Sequence, residues 1–327
     1  MKEITATGSV KSVTRGIIGL IALSIPAISN SASEQEFENK GLNSMQCATR
    51  ISLAITGKAP TMEFLNTKDP QGEAEIDKLI ATAEFNERFA RYSNSAFNEG
   101  VGESSHEDAP YHMALYALQN NLKWEEIFIG KFNVIADSED NVSVVADENG
   151  LGYVKSQAWI ERYAGNEGNG IRINTAYRVM QNAYGLEMIA SNLPAEADTT
   201  VEGRNTTQPC KSCHFDQVTA LDPVAEAFPD VIRNVDGAFL GLAAARTEPR
   251  EVLGVHMVTT QEDLMKLLVG SKDHKYFACQ MAFKYLTGRH ENSCSKSVMD
   301  TCLEAYQRSG LIQDAVKTIV RDESFCQ

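Results

Sequence analysis

No apolar run in the 327-residue chain reaches the ~20 residues that a membrane-spanning helix needs. The longest, "GIIGLIALSIPAI", is short of that and holds Pro26. Positive charge is also scarce. Thirty Lys and Arg stand against 44 Asp and Glu, and the net charge of −14 disfavours a nucleic acid or an anionic membrane as partner. Internal repeats and low-complexity tracts are absent, and strand signals are few. No glycine-rich phosphate cradle lies between a strand pattern and a helix pattern, and no nucleophile–base pair stands out. What remains is 43% apolar and 23% charged, the make-up of an ordinary globular protein.

The first residues differ from the rest. Lys2, Lys11 and Arg15 precede the apolar run, and small residues, "SNSAS", follow it. That order is a secretory signal peptide over residues 1–32, cut near Ser29 to Ala32. No cysteine stands there to accept a lipid. Cleavage removes three positive charges and one negative, a net +2, and leaves the mature chain near −16. The chain is thus expected to be periplasmic or exported to the cell surface, with no span in its mature part.

Export changes how seven cysteines are read, because thiols in an oxidising compartment pair or carry a cofactor. Cys210 and Cys213 stand three apart. The other five, Cys47, Cys279, Cys294, Cys302 and Cys326, are odd in number, so at least one lacks an internal partner. Four of them fall in the last fifty residues, which predicts a stapled C-terminal region.

Apolar spacing is helical nearly throughout, and the fold class expected is mainly α. "IDKLIATA" puts Ile76, Leu79, Ile80 and Ala83 on one face, and "LIQDAVKTIVRD" does the same with Ile312, Ala315, Val316, Ile319 and Val320. Thr259 and Glu262 form a capping-box pattern ahead of a helix ending at Gly270, and another helix covers about 275–287 and stops at Gly288. Residues 141–154 are a hairpin or a long loop, and 193–209 a polar linker. Three segments result: a helical N-terminal domain over 33–192, a motif segment over 193–255 and a helical C-terminal domain over 256–327.

The motif segment holds "QPCKSCHFD". Two thiols on one turn can add across the vinyl groups of a porphyrin, and the histidine next to them then supplies a nitrogen to the iron. Attachment of this kind follows export, so motif and signal peptide support each other. Zinc needs two more ligands at matching spacing, and no second Cys-x-x-Cys exists. A redox dithiol expects a strand before the motif within a βαβ unit, and a polar linker ending in Pro209 is the wrong setting. Covalent haem c is therefore expected, on Cys210 and Cys213 with His214 proximal. Met257, His256 and Met281 are the candidates for the opposite face of the iron, Met257 first. Arg233 and Arg246 lie within reach in sequence of the haem propionates. His106 and His112 flank "EDAPY" without supporting ligands.

Three stretches resemble the planctomycete-type cytochromes, exported proteins in which a Cys-x-x-Cys-His segment is joined to helical domains. "RISLAITGKAPTMEFL" with "IDKLIATAEFNERFARY" (50–92), and "LQNNLKWEEIFIGKF" (118–132) after it, are similar to the N-terminal pattern. "CKSCH" followed by Asp222-Pro223 is similar to the motif. "YFACQMAFKYLTGR" through "GLIQDAVKTIVRDESF" (276–325) is similar to the C-terminal domain. The chain departs from that pattern where "FDQVTAL" separates the histidine from Asp-Pro and where "VAEAFPDVIRN" follows. The resemblance implies a haem and a helical architecture, and no settled activity. It also implies disulfides Cys279–Cys294 and Cys302–Cys326, with Cys47 unpaired.

The expected function is an exported mono-haem c-type cytochrome passing single electrons between periplasmic or surface partners. The alternatives are a haem-dependent peroxidase or oxidoreductase, for which His256 is the acid–base candidate, and a haem-bearing accessory subunit of a larger surface assembly. The redox partner is an unidentified protein.

Overall fold

The computed structural model describes residues 42–98, 108–137, 141–163, 172–187, 198, 200–292 and 295–327. Residues 1–32, where the signal peptide is expected, His106 and Cys294 lie outside them. The chain is mainly helical, as its spacing predicts. In order come α1 (Ser44–Thr56), α2 (Met62–Leu65), α3 (Glu73–Ile80), α4 (Ala83–Phe97), α5 (Ala109–Gln119) and α6 (Glu126–Ile129). A hairpin of β1 (Phe132–Ala136) and β2 (Val142–Ala146) follows, then α7 (Gln157–Tyr163) and α8 (Ile173–Tyr184). The motif part has α9 (Val201–Thr206), α10 (Leu221–Ala225), β3 (Val231–Arg233), β4 (Phe239–Leu242), β5 (Arg250–Val252) and β6 (His256–Val258). Four helices complete the chain: α11 (Gln261–Gly270), α12 (Lys272–Thr287), α13 (Lys296–Ser309) and α14 (Ile312–Arg321).

Local chemistry sets the helix ends. Asn43 and Gln46 form a reciprocal capping box on α1. The run "IDKLIATA" is two helices, because the Thr82 side chain turns back to cap α4 by accepting from Phe85 N. The box expected at Thr259 and Glu262 sits one residue later. Thr260 accepts from Asp263 N, and the Asp263 carboxylate accepts from the Thr260 N–H at 3.0 Å. Glu262 instead faces Lys131 and Lys266. Helix α12 starts at Lys272, earlier than expected, because the Ser271 side chain caps it, and it ends at Gly288 with φ of 70°. Strand β2 pairs with β1, from Phe132 opposite Ala146 to Ala136 opposite Val142, so the hairpin partner of 142–146 lies upstream of it.

The N-terminal and C-terminal helices share one core. Helix α1 packs on α12, and α3 on α14. Phe85, Phe89 and Tyr92 meet Tyr285 from α12 through edge-on and tilted ring contacts, and Trp124 stands edge-on to Phe89, an arrangement suited to the aromatic quadrupole. The Tyr285 hydroxyl donates to Ile55 O. Gln71 donates to the carbonyls of Val320 and Asp322, and Arg50 to that of Gln327.

The disulfides differ from the implied ones. Cys279 on α12 pairs with Cys302 on α13, and Cys47 on α1 pairs with Cys326, with Cα–Cα distances of 6.0 and 5.3 Å. The physical reason lies in the packing. Helices α12 and α13 face each other, and the turn after α14 is held beside α1 by the Leu42 N–H donating to Cys326 O at 2.8 Å. Cys47 is therefore bonded, contrary to the expectation that it stands alone.

Candidate functional site

The residues around Cys210 and Cys213 come from three consecutive local structures. Helix α9 lies within the stretch read as a linker, where Thr200 Oγ1 accepts from Gly203 N at 3.1 Å. Gly203 allows the chain before it to fold close, since a Cβ there would fall 2.3 Å from Asp198 Cγ. The Gln208–Pro209 peptide is cis. Ser212–Asp216 then form one wide turn closed by Gln217 N donating to Ser212 O at 3.1 Å, an i to i+5 bond of the kind often found at functional sites. Helix α10 follows and packs on both the turn and α8.

Both motif thiols are free, Cys210 buried and Cys213 half-buried. Every other described cysteine is in a disulfide. His214 Nδ1 lies 2.6 Å from Asp222 Oδ2 on α10. Asp222 is 1% exposed, and Arg204 of α9 grips its carboxylate, with Nη2 to Oδ1 at 2.8 Å and Nε to Oδ2 at 3.3 Å. Burial alone would push the Asp222 carboxyl up, but the hydrogen bonds from His214 and Arg204 outweigh it and hold the group below the usual carboxylate range. An ionised carboxylate only accepts, so Nδ1 carries a proton, and in the neutral imidazole the lone pair is then on Nε2. Two free thiols and one open imidazole nitrogen could hold a covalently attached haem.

The distal candidates fall in two places. His256 and Met257 lie on β6, both exposed, Met257 at 61%. β6 pairs with β5, which packs on α10, and the Val218 methyl carbons lie 3.5 Å from where a Gly254 Cβ would stand. This hairpin therefore borders the motif, and the boundary drawn at 255 cuts through it. Met281 is buried at 3% exposure in the core of α12. The two arginines named for propionates have protein partners: Arg233 donates to Gly237 O at 2.8 Å and Arg246 pairs with Asp230 at 2.5 Å.

A surface feature accompanies the motif. Six of the twelve large apolar side chains exposed among the described residues lie between 218 and 257: Val218, Ile232, Val235, Leu240, Val255 and Met257. Half of the exposed large apolar side chains thus fall within forty residues of sequence that adjoin the motif.

Sequence reasoning missed Arg204 altogether and saw Asp222 only as part of Asp-Pro. The signal available was a carboxylate eight residues past the histidine. It missed Arg172 too, which is 0% exposed, at the start of α8. Arg172 Nε donates to Thr175 Oγ1 at 3.1 Å, its guanidinium lies 5.1 Å over the Phe228 ring, and Nη1 and Nη2 have no partner among the described residues. Burial lowers it to about 9.

Among the described residues, no group of three or more His, Cys, Asp and Glu converges as a metal-ligand set, as a zinc site would require. Helix α9, rather than a strand, precedes the cysteines, which is not the βαβ setting of a redox dithiol. No helix of the described residues is long and apolar enough to cross a membrane. No family model matches the chain, and no curated protein and no solved structure matches it.

Proposed function

We propose that the protein is an exported mono-haem c-type cytochrome that passes single electrons to and from a partner protein. One observation carries this. In a chain whose other described cysteines are bonded, Cys210 and Cys213 keep their thiols beside an imidazole whose Nδ1 is held and whose Nε2 is open. Each thiol adds S–H across a vinyl C=C, forming one C–S and one C–H bond with no atom released. The iron, when bound, supplies a one-electron couple. Cys210 and Cys213 tether the group, His214 offers the nitrogen, and Asp222 keeps the proton on the far side of the ring. The exposed apolar side chains of the 218–257 stretch suit the flat face of a macrocycle. The resemblance to planctomycete-type cytochromes and the signal segment 1–32 agree with this reading.

The test is a pyridine haemochrome spectrum and an intact mass of the chain made in a host with a c-type maturation system. One covalent haem per chain is expected, and a colourless protein of unmodified mass overturns the proposal. A second reading, a haem-dependent peroxidase or oxidoreductase, is favoured by the 61% exposure of Met257, which suits a displaceable ligand. Rapid cyanide binding by the ferric protein would favour it over a simple carrier.

A further inference from the structure

Asp222 is a buried carboxylate, and burying one calls for a reason. A buried ion pair is weak evidence of stabilisation, since apolar groups of similar volume often serve as well or better. Here the carboxylate joins two different groups. Arg204 approaches it as a planar fork and fixes the plane of the carboxylate. That plane in turn fixes the His214 ring through a 2.6 Å bond to Nδ1. Three side chains from α9, the motif turn and α10 thus form a rigid local unit.

We propose that Asp222, clamped by Arg204, is the positioning residue of the proximal imidazole, and that it makes the haem a low-potential centre. The proposal rests on haem attachment at Cys210 and Cys213. A ring N–H donated to a carboxylate leaves more electron density on the opposite nitrogen, and a more basic ligand favours the ferric over the ferrous state. Arg204 offsets part of the carboxylate charge. Its guanidinium sits one hydrogen bond farther from the ring, so the direction set by Asp222 prevails, since Coulomb energies fall with distance. A low-potential centre gives electrons up readily, which places the partner on the accepting side.

Two variants of the full holoprotein separate this from a structural role. Asp222→Asn removes the charge and weakens the acceptor. Arg204→Gln with Asp222→Asn removes one charge of each sign, so no unpaired arginine is left in the interior. The reduction potential and the ferric EPR g values are read in both. The potential is expected to rise in both variants, with the g values shifted and the haem content unchanged. A double variant back at the wild-type potential would mean that Arg204 cancels the effect of Asp222 in full, which overturns the low potential assigned to the pair. Unchanged potential and g values in the single variant overturn it as well. A wild-type chain without covalent haem overturns it together with the reading on which it rests.

Discussion

The helical body and the 201–258 segment treat the same residue types in opposite ways. In the body, Cys47, Cys279, Cys302 and Cys326 close two bonds, while in the segment Cys210 and Cys213 stay free. The body's His274 is 1% exposed, its Nδ1 donates to Ala183 O at 2.7 Å, and its Nε2 faces the Tyr306 hydroxyl at 3.4 Å. Both of its nitrogens are occupied. His214 has a carboxylate on one nitrogen only. Large aromatic rings fill the body, whereas beside the motif large apolar side chains face outward. The body closes those four thiols and the His274 imidazole among its own groups, and the segment leaves both thiols unbonded.

The largest effect should come from exchanging the two kinds of cysteine. Replacing Cys210 and Cys213 with Ala is expected to abolish the covalent haem spectrum and leave the far-ultraviolet circular dichroism of the body intact. Replacing Cys279 and Cys302, 23 residues apart, should leave the spectrum unchanged. That second change is expected to lower stability by about 3 kcal/mol in a denaturant titration, the loop-entropy value for a crosslink of this span.

Next come the two buried arginines, which should respond with opposite sign. Arg204→Met leaves Asp222 buried without its counter-charge, and a loss of about 3–5 kcal/mol is expected. Arg172 has no carboxylate to abandon among the described residues, so Arg172→Met should stabilise the fold by about 1–3 kcal/mol through removal of unpartnered donors. Thermal midpoints of the holoprotein check both. A fall for Arg172→Met would mean that the Thr175 hydrogen bond and the contact with Phe228 outweigh the unpartnered donors.

The contrast between the histidines is sharpened by pH. Burial pushes His274 down to about 4, outweighing the hydrogen bond to Ala183 O, with Lys275 adding to the shift. The folded value is below the unfolded one of about 6.5, so the unfolded chain takes a proton that the native state refuses. The stabilisation is full above pH 6.5 and is lost as pH falls from 6.5 towards 4, by about 3 kcal/mol. Denaturant midpoints of wild type and His274→Gln should converge over that range. If the wild-type midpoint stays level against the variant, His274 is not the group concerned.

The smallest effect is expected at Met281. Its place in the α12 core makes Met281→Leu a volume-conserving change worth less than about 1.5 kcal/mol, with the haem spectrum unaltered.

The helical elements and the motif were legible because each is written in local spacing. Ile312, Ala315, Val316, Ile319 and Val320 are all buried on α14 as their period predicts. Cys210, Cys213 and His214 stand together because they are neighbours in sequence. Pairing between distant elements was not legible. Cys47 and Cys326 meet only because α1 and α14 share a core, and no spacing encodes that. Arg204 was invisible for a related reason: its role depends on α9 forming where polar residues suggested a linker. The one-residue shift from Thr259 to Thr260 at the start of α11 is a choice between adjacent hydroxyls that the final backbone geometry makes.

The Cys47–Cys326 bond spans 279 residues, so nearly the whole described chain is a covalent ring. A single backbone cut anywhere between those positions opens the ring without dividing it. Gel electrophoresis of nicked protein should therefore show one band without reductant and two with it. A haem-bearing fragment would leave the molecule only after a second event, reduction or a second cut.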